Sequence, residues 1–110
     1  MAPKSVQRSS TPTGVQAAAL SSDSVRVWWS ANPEAVAAYV VQRDGYGWYW
    51  DADRRQSAYG QHFVTLCRSA TTTCDVGNLS RGATVTLHVA AENADGRLSG
   101  RTGVTVTTLS

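Results

Sequence analysis

Runs in which apolar and polar residues alternate make up most of this chain from Val15 onward. The second run keeps Val25, Val27 and Trp29 on one side, and the run 84–91 follows the same pattern. Because side chains of a β-strand alternate between two faces, each run predicts a strand with one buried face. No helical period lasts for ten residues. The pattern predicts an all-β fold almost free of helix, either a sandwich or a barrel.

The inward positions of these runs define the predicted core. In the third run Tyr39 and Val41 alternate with more polar neighbours, and Asp44-Gly45 follows as a turn signal, so we expect the chain to reverse there. The predicted core consists of Val27, Trp29, Tyr39, Val41, Leu79, Leu87 and Val89.

An aromatic run interrupts this pattern after the predicted turn. If the segment is extended, Tyr46, Trp48 and Trp50 point to one face while Tyr49 points to the other. The rings either pack over the open edge of the sandwich or form a surface that a partner completes. Both interpretations are compatible with the sequence.

Several residues near the run are of the types enriched at interface hot spots. Trp28 is placed on the outward face of its strand, and Arg54 and Arg55 follow the aromatic run. The candidate partner-binding residues are Tyr46, Trp48, Trp50, Arg54, Arg55, Tyr59 and Trp28. Stacked rings could instead hold sugar faces, so a polysaccharide stays open as a second kind of partner.

Two cysteines, Cys67 and Cys74, bracket the segment 68–73. Threonine-rich flanks and a small central turn favour a hairpin, which could bring the two Cα atoms within the roughly 4.4 to 6.8 Å that a disulfide needs. We expect a disulfide rather than two buried thiols. A zinc site would need two further ligands, and only His62 and Asp75 lie close by in sequence.

The length and charge of the chain exclude several classes of function. With 110 residues and 42% hydrophobic composition it is expected to form one domain with its own core. The formal net charge of +2 is too small and too scattered to favour nucleic acid or an anionic membrane as partner. No apolar stretch approaches the roughly 18 residues of a membrane span.

Catalytic motifs are missing from the sequence. His62 and His88 are far apart along the predicted fold, and neither a nucleophile elbow, a zinc-protease helix nor a phosphate-binding glycine loop is present. The sequence predicts a protein that is not an enzyme and has no cofactor and no metal site.

Residues 1–12 form a polar segment rich in serine, threonine and proline, which is predicted to be an N-terminal arm or linker. The remaining residues, 13–110, are predicted to be the folded domain.

At this point the residues resemble a fibronectin type III module, which implies a seven-stranded antiparallel β-sandwich related to immunoglobulin domains. The motifs that carry the resemblance are Pro12 with Val15, Val25-x-Val27-x-Trp29, Tyr39-x-Val41, Leu79-x-x-Gly82, Val89-x-Ala91, Gly96 and Ser99. The resemblance covers residues 12–109. Two positions depart from the family pattern, since Arg81 stands where the family usually has proline and Val85 where it has tyrosine. Immunoglobulin-like relatives stay open.

The resemblance also implies an insertion, because the chain has more residues between its third strand and Leu79 than the family needs. The excess corresponds to about residues 45–61, the aromatic segment, which is expected to form a long hairpin or folded loop at a sheet edge. Fold-level resemblance does not carry function across such a widely reused scaffold.

Two non-enzymatic functions are therefore weighed, ahead of an unrecognised enzyme as a third. The first is a structural subunit that contacts protein partners, other copies of itself included, in a larger assembly such as the surface, decoration or tail of a phage virion. Lys4 is the only lysine among ten cationic residues, a bias expected of a bacterial or phage source. The second is an accessory module, a spacer or polysaccharide binder, of a secreted bacterial enzyme or adhesin. We expect a location on a virion or extracellular surface, although the chain as given shows no signal peptide.

Overall fold

Seven β-strands build the part of the chain that the computed structural model describes, residues 9–51 and 54–110. The strands are β1 (Thr13–Ala19), β2 (Val25–Ser30), β3 (Ala38–Asp51), β4 (Gln56–Ser69), β5 (Thr73–Val76), β6 (Thr84–Glu92) and β7 (Thr102–Thr107). Within these residues no helix is found. The prediction of an all-β domain almost free of helix is confirmed for these residues.

The strands form two antiparallel sheets. One sheet has three strands in the order β1-β2-β5, and the other has four in the order β4-β3-β6-β7. Every paired strand runs antiparallel to its neighbour. The two sheets bury their inner faces against each other, so the predicted β-sandwich is confirmed.

The core lies between β2 on one sheet and the strands β3 and β6 on the other. The rings of Trp29 and Tyr39 meet across the two sheets with centroids 5.4 Å apart. The Tyr39 hydroxyl accepts a hydrogen bond of 2.8 Å from the Asn32 backbone, which satisfies its polar end. Of the predicted core residues, Val27, Trp29, Tyr39, Val41, Leu87 and Val89 are buried. Leu79 is half-buried and packs against them.

A disulfide between Cys67 and Cys74 ties the two sheets together, with Cα atoms 6.6 Å apart. The predicted bond is confirmed, and neither sulfur is free to bind zinc. The predicted hairpin around it was wrong, because Cys67 lies on β4 in one sheet whereas Cys74 lies on β5, which pairs with β2 in the other. The short segment between them crosses from one sheet to the other. Local turn signals could not reveal that crossing.

The predicted reversal at Asp44-Gly45 was also wrong. Both residues lie inside β3, where they pair with Phe63 and His62 of β4. The chain reverses only after Asp51, the last paired residue of β3. The turn preference of Asp-Gly is local and weak, and continued pairing along both strands overrides it.

Strand β3 continues far beyond the sandwich. It pairs with β6 only over Ala38–Gln42, whereas its pairing with β4 runs on to Asp51. Residues 43–51 and 56–64 therefore form a two-stranded ribbon, about 30 Å long at about 3.4 Å per residue. The predicted insertion, residues 45–61, lies within this ribbon. A long axis of 58 Å is consistent with such a projection.

The predicted arm, residues 1–12, is described only at its end, since its first eight residues lie outside the described part. Ser10 donates hydrogen bonds to the Glu34 carboxylate from both its backbone N–H and its hydroxyl. Pro12 is fully buried, and its carbonyl accepts a 2.6 Å hydrogen bond from the Thr102 hydroxyl. The domain therefore includes the chain at least from Ser10.

Replacing Trp29 with alanine should lower the free energy of unfolding by about 3 to 5 kcal/mol, because a ring buried to 4% exposure leaves a cavity against Tyr39. Trp29→Phe should lower the free energy of unfolding by clearly less. It keeps a ring and removes an indole N–H that has no hydrogen-bond partner in the described structure. Urea denaturation followed by circular dichroism measures both values, and equal stability of wild type and Trp29→Ala would refute the placement.

Replacing Cys67 and Cys74 together with serine should lower stability by about 2 to 3 kcal/mol. The bond closes a short loop, since the cysteines are seven positions apart, so its effect on the entropy of the unfolded chain is moderate. Denaturation of wild type with and without a reducing agent measures the same quantity. We expect the double-serine variant to be as stable as reduced wild type and to be unaffected by the reducing agent. Wild type that is equally stable with and without the reducing agent would contradict the prediction.

Glu34 should make the docking of Ser10 dependent on pH. Hydrogen bonds from the Asn32 side chain, and next from Ser10, hold the pKa of Glu34 below its ordinary value of 4.5. A lowered folded-state pKa means that the contribution to stability is complete above about pH 4.5 and is lost as the pH falls through the lowered value. The stability difference between wild type and Glu34→Gln should shrink over that range. A difference that stays constant from pH 6 to pH 2 would count against this role.

Candidate functional site

The alternation of β3 places three aromatic rings on one face of the ribbon. Tyr46, Trp48 and Trp50 continue the outer face of the four-stranded sheet and are 75%, 73% and 63% exposed. Tyr59 of β4 pairs with Trp48 and is 61% exposed. We call Tyr46, Trp48, Trp50 and Tyr59 the aromatic face. These rings do not pack over the sandwich, so the interpretation as additional core does not describe them.

Tyr59 lies at the centre of the aromatic face. Its ring contacts Trp48 and Tyr46 edge to face, with centroids 5.3 and 5.5 Å apart and interplanar angles of 72° and 88°. Edge-to-face pairs contribute about 0.5 to 1.5 kcal/mol beyond the area that they bury. Such pairs hold the two strands of the ribbon in register while leaving most of each ring accessible.

The opposite face of the ribbon carries a second ring pair. Tyr49 stacks on His62 with centroids 4.5 Å apart, and the His62 Nδ1 atom lies 3.0 Å from the Gly60 carbonyl oxygen. Gly60 pairs with Gly47, and their φ angles of 150° and 137° belong to backbone that other residues rarely adopt. Tyr49 therefore supports the ribbon and is not part of the aromatic face.

A cluster at the base joins the aromatic face to the sandwich. The Arg101 guanidinium lies 3.9 Å from the centroid of the Phe63 ring, which also contacts His88 at an interplanar angle of 77°. Arg101 donates to the Gln42 side chain at 2.7 Å, and Gln42 donates to the Thr65 hydroxyl at 3.0 Å. Sequence reasoning did not include Phe63, although its spacing from Tyr59 on the same strand was a signal. The contact with Arg101 required the fold.

The two predicted arginines lie at the tip of the ribbon. Arg54 donates its backbone N–H to the Asp51 carboxylate, and its Nε atom lies 3.9 Å from that carboxylate. Arg55 is exposed and has a φ of 53°, in the left-handed region that residues other than glycine rarely adopt. The paired segments 45–50 and 56–61 contain no charged residue. The aromatic face is therefore an uncharged surface with positive charge at its tip.

Trp28 lies away from the aromatic face. It belongs to β2, pairs with Gln16 and Thr73, and faces outward from the three-stranded sheet. Its neighbour Trp29 points into the core, so Trp28 is on the opposite side of the sandwich from the outer face of β3. The structure thus separates this predicted site residue from the other six.

A shallow depression of about 340 Å³ lies on the same three-stranded sheet, lined by Arg26, Thr73, Cys74 and Asp75. Arg26 donates two hydrogen bonds, of 2.8 and 3.1 Å, to the Asp75 carboxylate. The hydrogen bonds from Arg26 are the main reason that the pKa of Asp75 lies below its ordinary value. The two charges neutralise each other, so the depression presents no unpaired acid or base from this pair for proton transfer.

The described residues, 9–51 and 54–110, lack two further features. They contain no group of three or more histidine, cysteine, aspartate or glutamate residues placed to hold a metal ion. Among the same residues there is no helix long and apolar enough to cross a membrane.

Comparison with known proteins identifies the fold. The family model described as the fibronectin type III domain matches residues 10–108. The crystal structure of FN3tt has a TM-score of 0.67 and 16% identity, covering 94% of this chain and 98% of that one. The FN5 domain of Drosophila Lar has a TM-score of 0.63 and 18% identity, covering 93% and 98%. No curated protein matches the chain in sequence.

The chain is also similar to part of a larger enzyme. Chitinase ChiA74 from Bacillus thuringiensis has a TM-score of 0.68 and 19% identity, with 99% of this chain covering 15% of that one. At such identities a structural likeness establishes the fold and not the function. Because the family model spans nearly the whole described domain, the chain belongs to the fibronectin type III family.

Proposed function

We propose that this chain is a non-enzymatic interaction module that binds a protein partner through the aromatic face. One observation carries the proposal: four large rings, each more than 60% exposed, share one uncharged face of a ribbon that projects from the sandwich. Fibronectin type III domains are commonly structural or interaction modules, which agrees with this use.

The composition of the aromatic face fits a protein partner. Tryptophan, tyrosine and arginine dominate interface hot spots, and the ribbon presents two tryptophans and two tyrosines with Arg54 and Arg55 at its tip. An exposed aromatic cluster of this size promotes non-specific association unless a partner covers it. Binding would remove these rings from water, and the rings lose little conformational entropy because each side chain has only two rotatable bonds.

The orientation of the rings bears on the kind of partner. Tyr59 is turned by 72° and 88° relative to Trp48 and Tyr46, so these three rings are not coplanar. A flat polysaccharide surface would contact coplanar rings best, whereas a protein partner can fill the spaces between tilted rings with its own side chains. The geometry therefore favours a protein over a flat polysaccharide.

At a finer level, we place the chain in a larger assembly such as the surface, decoration or tail of a phage virion. The N-terminal arm would be an auxiliary contact there, since Ser10 and Pro12 hold its end against the domain. Fibronectin type III domains also occur in multi-domain chains, as in chicken CNTN1 and the kinase region of twitchin. Those structural likenesses support a role beside other domains. They do not support a phage virion in particular.

A second candidate is an accessory module of a secreted bacterial enzyme or adhesin that acts as a spacer or binds polysaccharide. Two observations favour it. A domain of this fold corresponds to 15% of the Bacillus thuringiensis chitinase chain, and the Cys67–Cys74 disulfide suits oxidising surroundings. In this setting the aromatic face would contact sugar rings.

Replacing Trp48 and Trp50 together with alanine should leave the sandwich folded and weaken partner binding by at least about 2 kcal/mol, because truncation of hot-spot rings has effects of this size. The binding partner is first isolated from an extract of the source cells or particles and identified by mass spectrometry. Its affinity for wild type and the double variant is then measured by calorimetry. Parallel depletion assays use suspensions of chitin, cellulose and peptidoglycan.

Trp28→Ala is the matched control, because it truncates a tryptophan of the other sheet and should not change binding. Loss of protein binding in the double variant alone supports the main proposal, and loss of polysaccharide retention alone supports the second candidate. A double variant that binds every partner as wild type does would refute both. Removing residues 1–8 in the same assay tests the arm and keeps the Ser10 and Pro12 contacts.

A further inference from the structure

The free edge of the ribbon is a second surface, distinct from the aromatic face. Strand β4 is the outermost strand of its sheet and pairs with β3 along its length. Within the described residues no strand pairs with its other side. A strand with one neighbour directs part of its backbone N–H and C=O groups away from the sheet, where another strand can pair with them.

Protein sheets usually protect such edges with charged side chains, proline or a very short strand. The segment 56–66 of β4 has none of these, since it lacks lysine, arginine, aspartate, glutamate and proline. The register shift of β4, opposite Val41 and Gln42, lies at the sandwich end of this segment. The exposed edge is thus long, uncharged and suited to pairing.

The opposite edge of the ribbon differs. Beyond Gln42, β3 carries Arg43, Asp44 and Asp51, and charged side chains of this kind discourage strand addition. Asp44 also lies 3.6 Å from the His88 ring, close to the sandwich. Charged side chains lie at both ends of the free β3 edge and leave only 45–50 uncharged, whereas β4 is uncharged over 56–66, so β4 is the longer uncharged edge available to a partner.

We propose that β4 pairs antiparallel with β4 of a second copy of this chain, about a two-fold axis at Gln61. In this register Gln61 faces its own counterpart, and Tyr59 faces Phe63 of the second copy in both halves of the interface. Aromatic cross-strand pairs stabilise a sheet more than alanine pairs at the same positions do. The two ribbons form one four-stranded ribbon, and the aromatic faces of both copies lie side by side on it.

The absence of charge argues for a second copy rather than an unrelated peptide. A two-fold axis brings each side chain near the same residues of the other copy, so any single-sign cluster would repel itself. The segment 56–66 offers no such cluster. Gln56 near the tip of one ribbon faces Leu66 of the second copy, which lies near that copy's sandwich. The two sandwiches therefore lie at opposite ends of the paired ribbons. The tip arginines approach Arg68, whose charge is already compensated by Glu92 at 2.7 Å.

The pairing does not depend on the proposed function, because its hydrogen bonds come from the backbone edge of β4. Of the aromatic face only Tyr59 takes part, and Trp48 and Trp50 do not. Two strand edges bury less area than the about 1,200 Å² of a standard interface, so we expect reversible dimers in the micromolar range or weaker. Analytical ultracentrifugation of the full chain, from about micromolar to about millimolar concentration, measures them.

Gln61→Lys tests the register, because two lysines would face each other across the axis. We expect the dimer to weaken at least about tenfold. Gln61→Glu should do the same, and an equimolar mixture of the two variants should form a dimer again, since opposite charges then meet. Gln16→Lys is the matched control on β1, the edge strand of the other sheet, and should dimerise as wild type does.

The Trp48→Ala/Trp50→Ala variant separates this proposal from the preceding one. It should still dimerise, whatever its binding to other partners. A wild type that stays monomeric at millimolar concentration overturns the proposal. A dimer that Gln61→Lys leaves intact also overturns it. The same holds for a mixture of the two charge variants that stays monomeric although each variant is folded by circular dichroism, and for a dimer that is lost when the two tryptophans are removed.

Discussion

The alternation of side chains along β3 is the constraint on which the rest of the structure depends. Its first residues lie in the sandwich, where Tyr39 and Val41 must face the core because burying them drives folding. Every second residue beyond them is then fixed to the same side, and the residues between are fixed to the other. Tyr46, Trp48 and Trp50 thus face outward as a consequence of core packing. A slip of one residue would exchange the two sets and bury the wrong side chains.

The molecule combines a strongly stabilised body with a weakly stabilised extension. The body has two sheets, a shared apolar core and a disulfide between the sheets. The ribbon has two strands and no second layer, an arrangement that is marginal by itself in water. Ring pairs on both its faces, Tyr59 with its neighbours and Tyr49 with His62, hold it in register. A contact surface on such an extension is presented well away from the body, and a partner that binds there also stabilises it.

The two proposed contacts use different physical properties of the same ribbon. The aromatic face offers apolar area and ring edges, whereas the edge of β4 offers backbone hydrogen bonds. Neither contains a charged side chain over the paired segments 45–50 and 56–61. Electrostatic attraction therefore contributes little to either contact, and shape and backbone register would determine which partners fit. Arg54 and Arg55 are confined to the tip, where they can orient a partner without lying in the buried centre.

Local chemistry was enough to predict β2, the first residues of β3 and β6, six buried core positions and the shared face of Tyr46, Trp48 and Trp50, because alternation along one strand is a property of the sequence itself. It was not enough to place the turn after Asp51, since pairing with β4 outweighs the local preference of Asp-Gly. Nor could it show that Cys67 and Cys74 lie on different sheets, that Trp28 is far from the aromatic face, or that Arg101 reaches Phe63. Those relations join residues distant in sequence, and only the packing of one sheet on the other decides them.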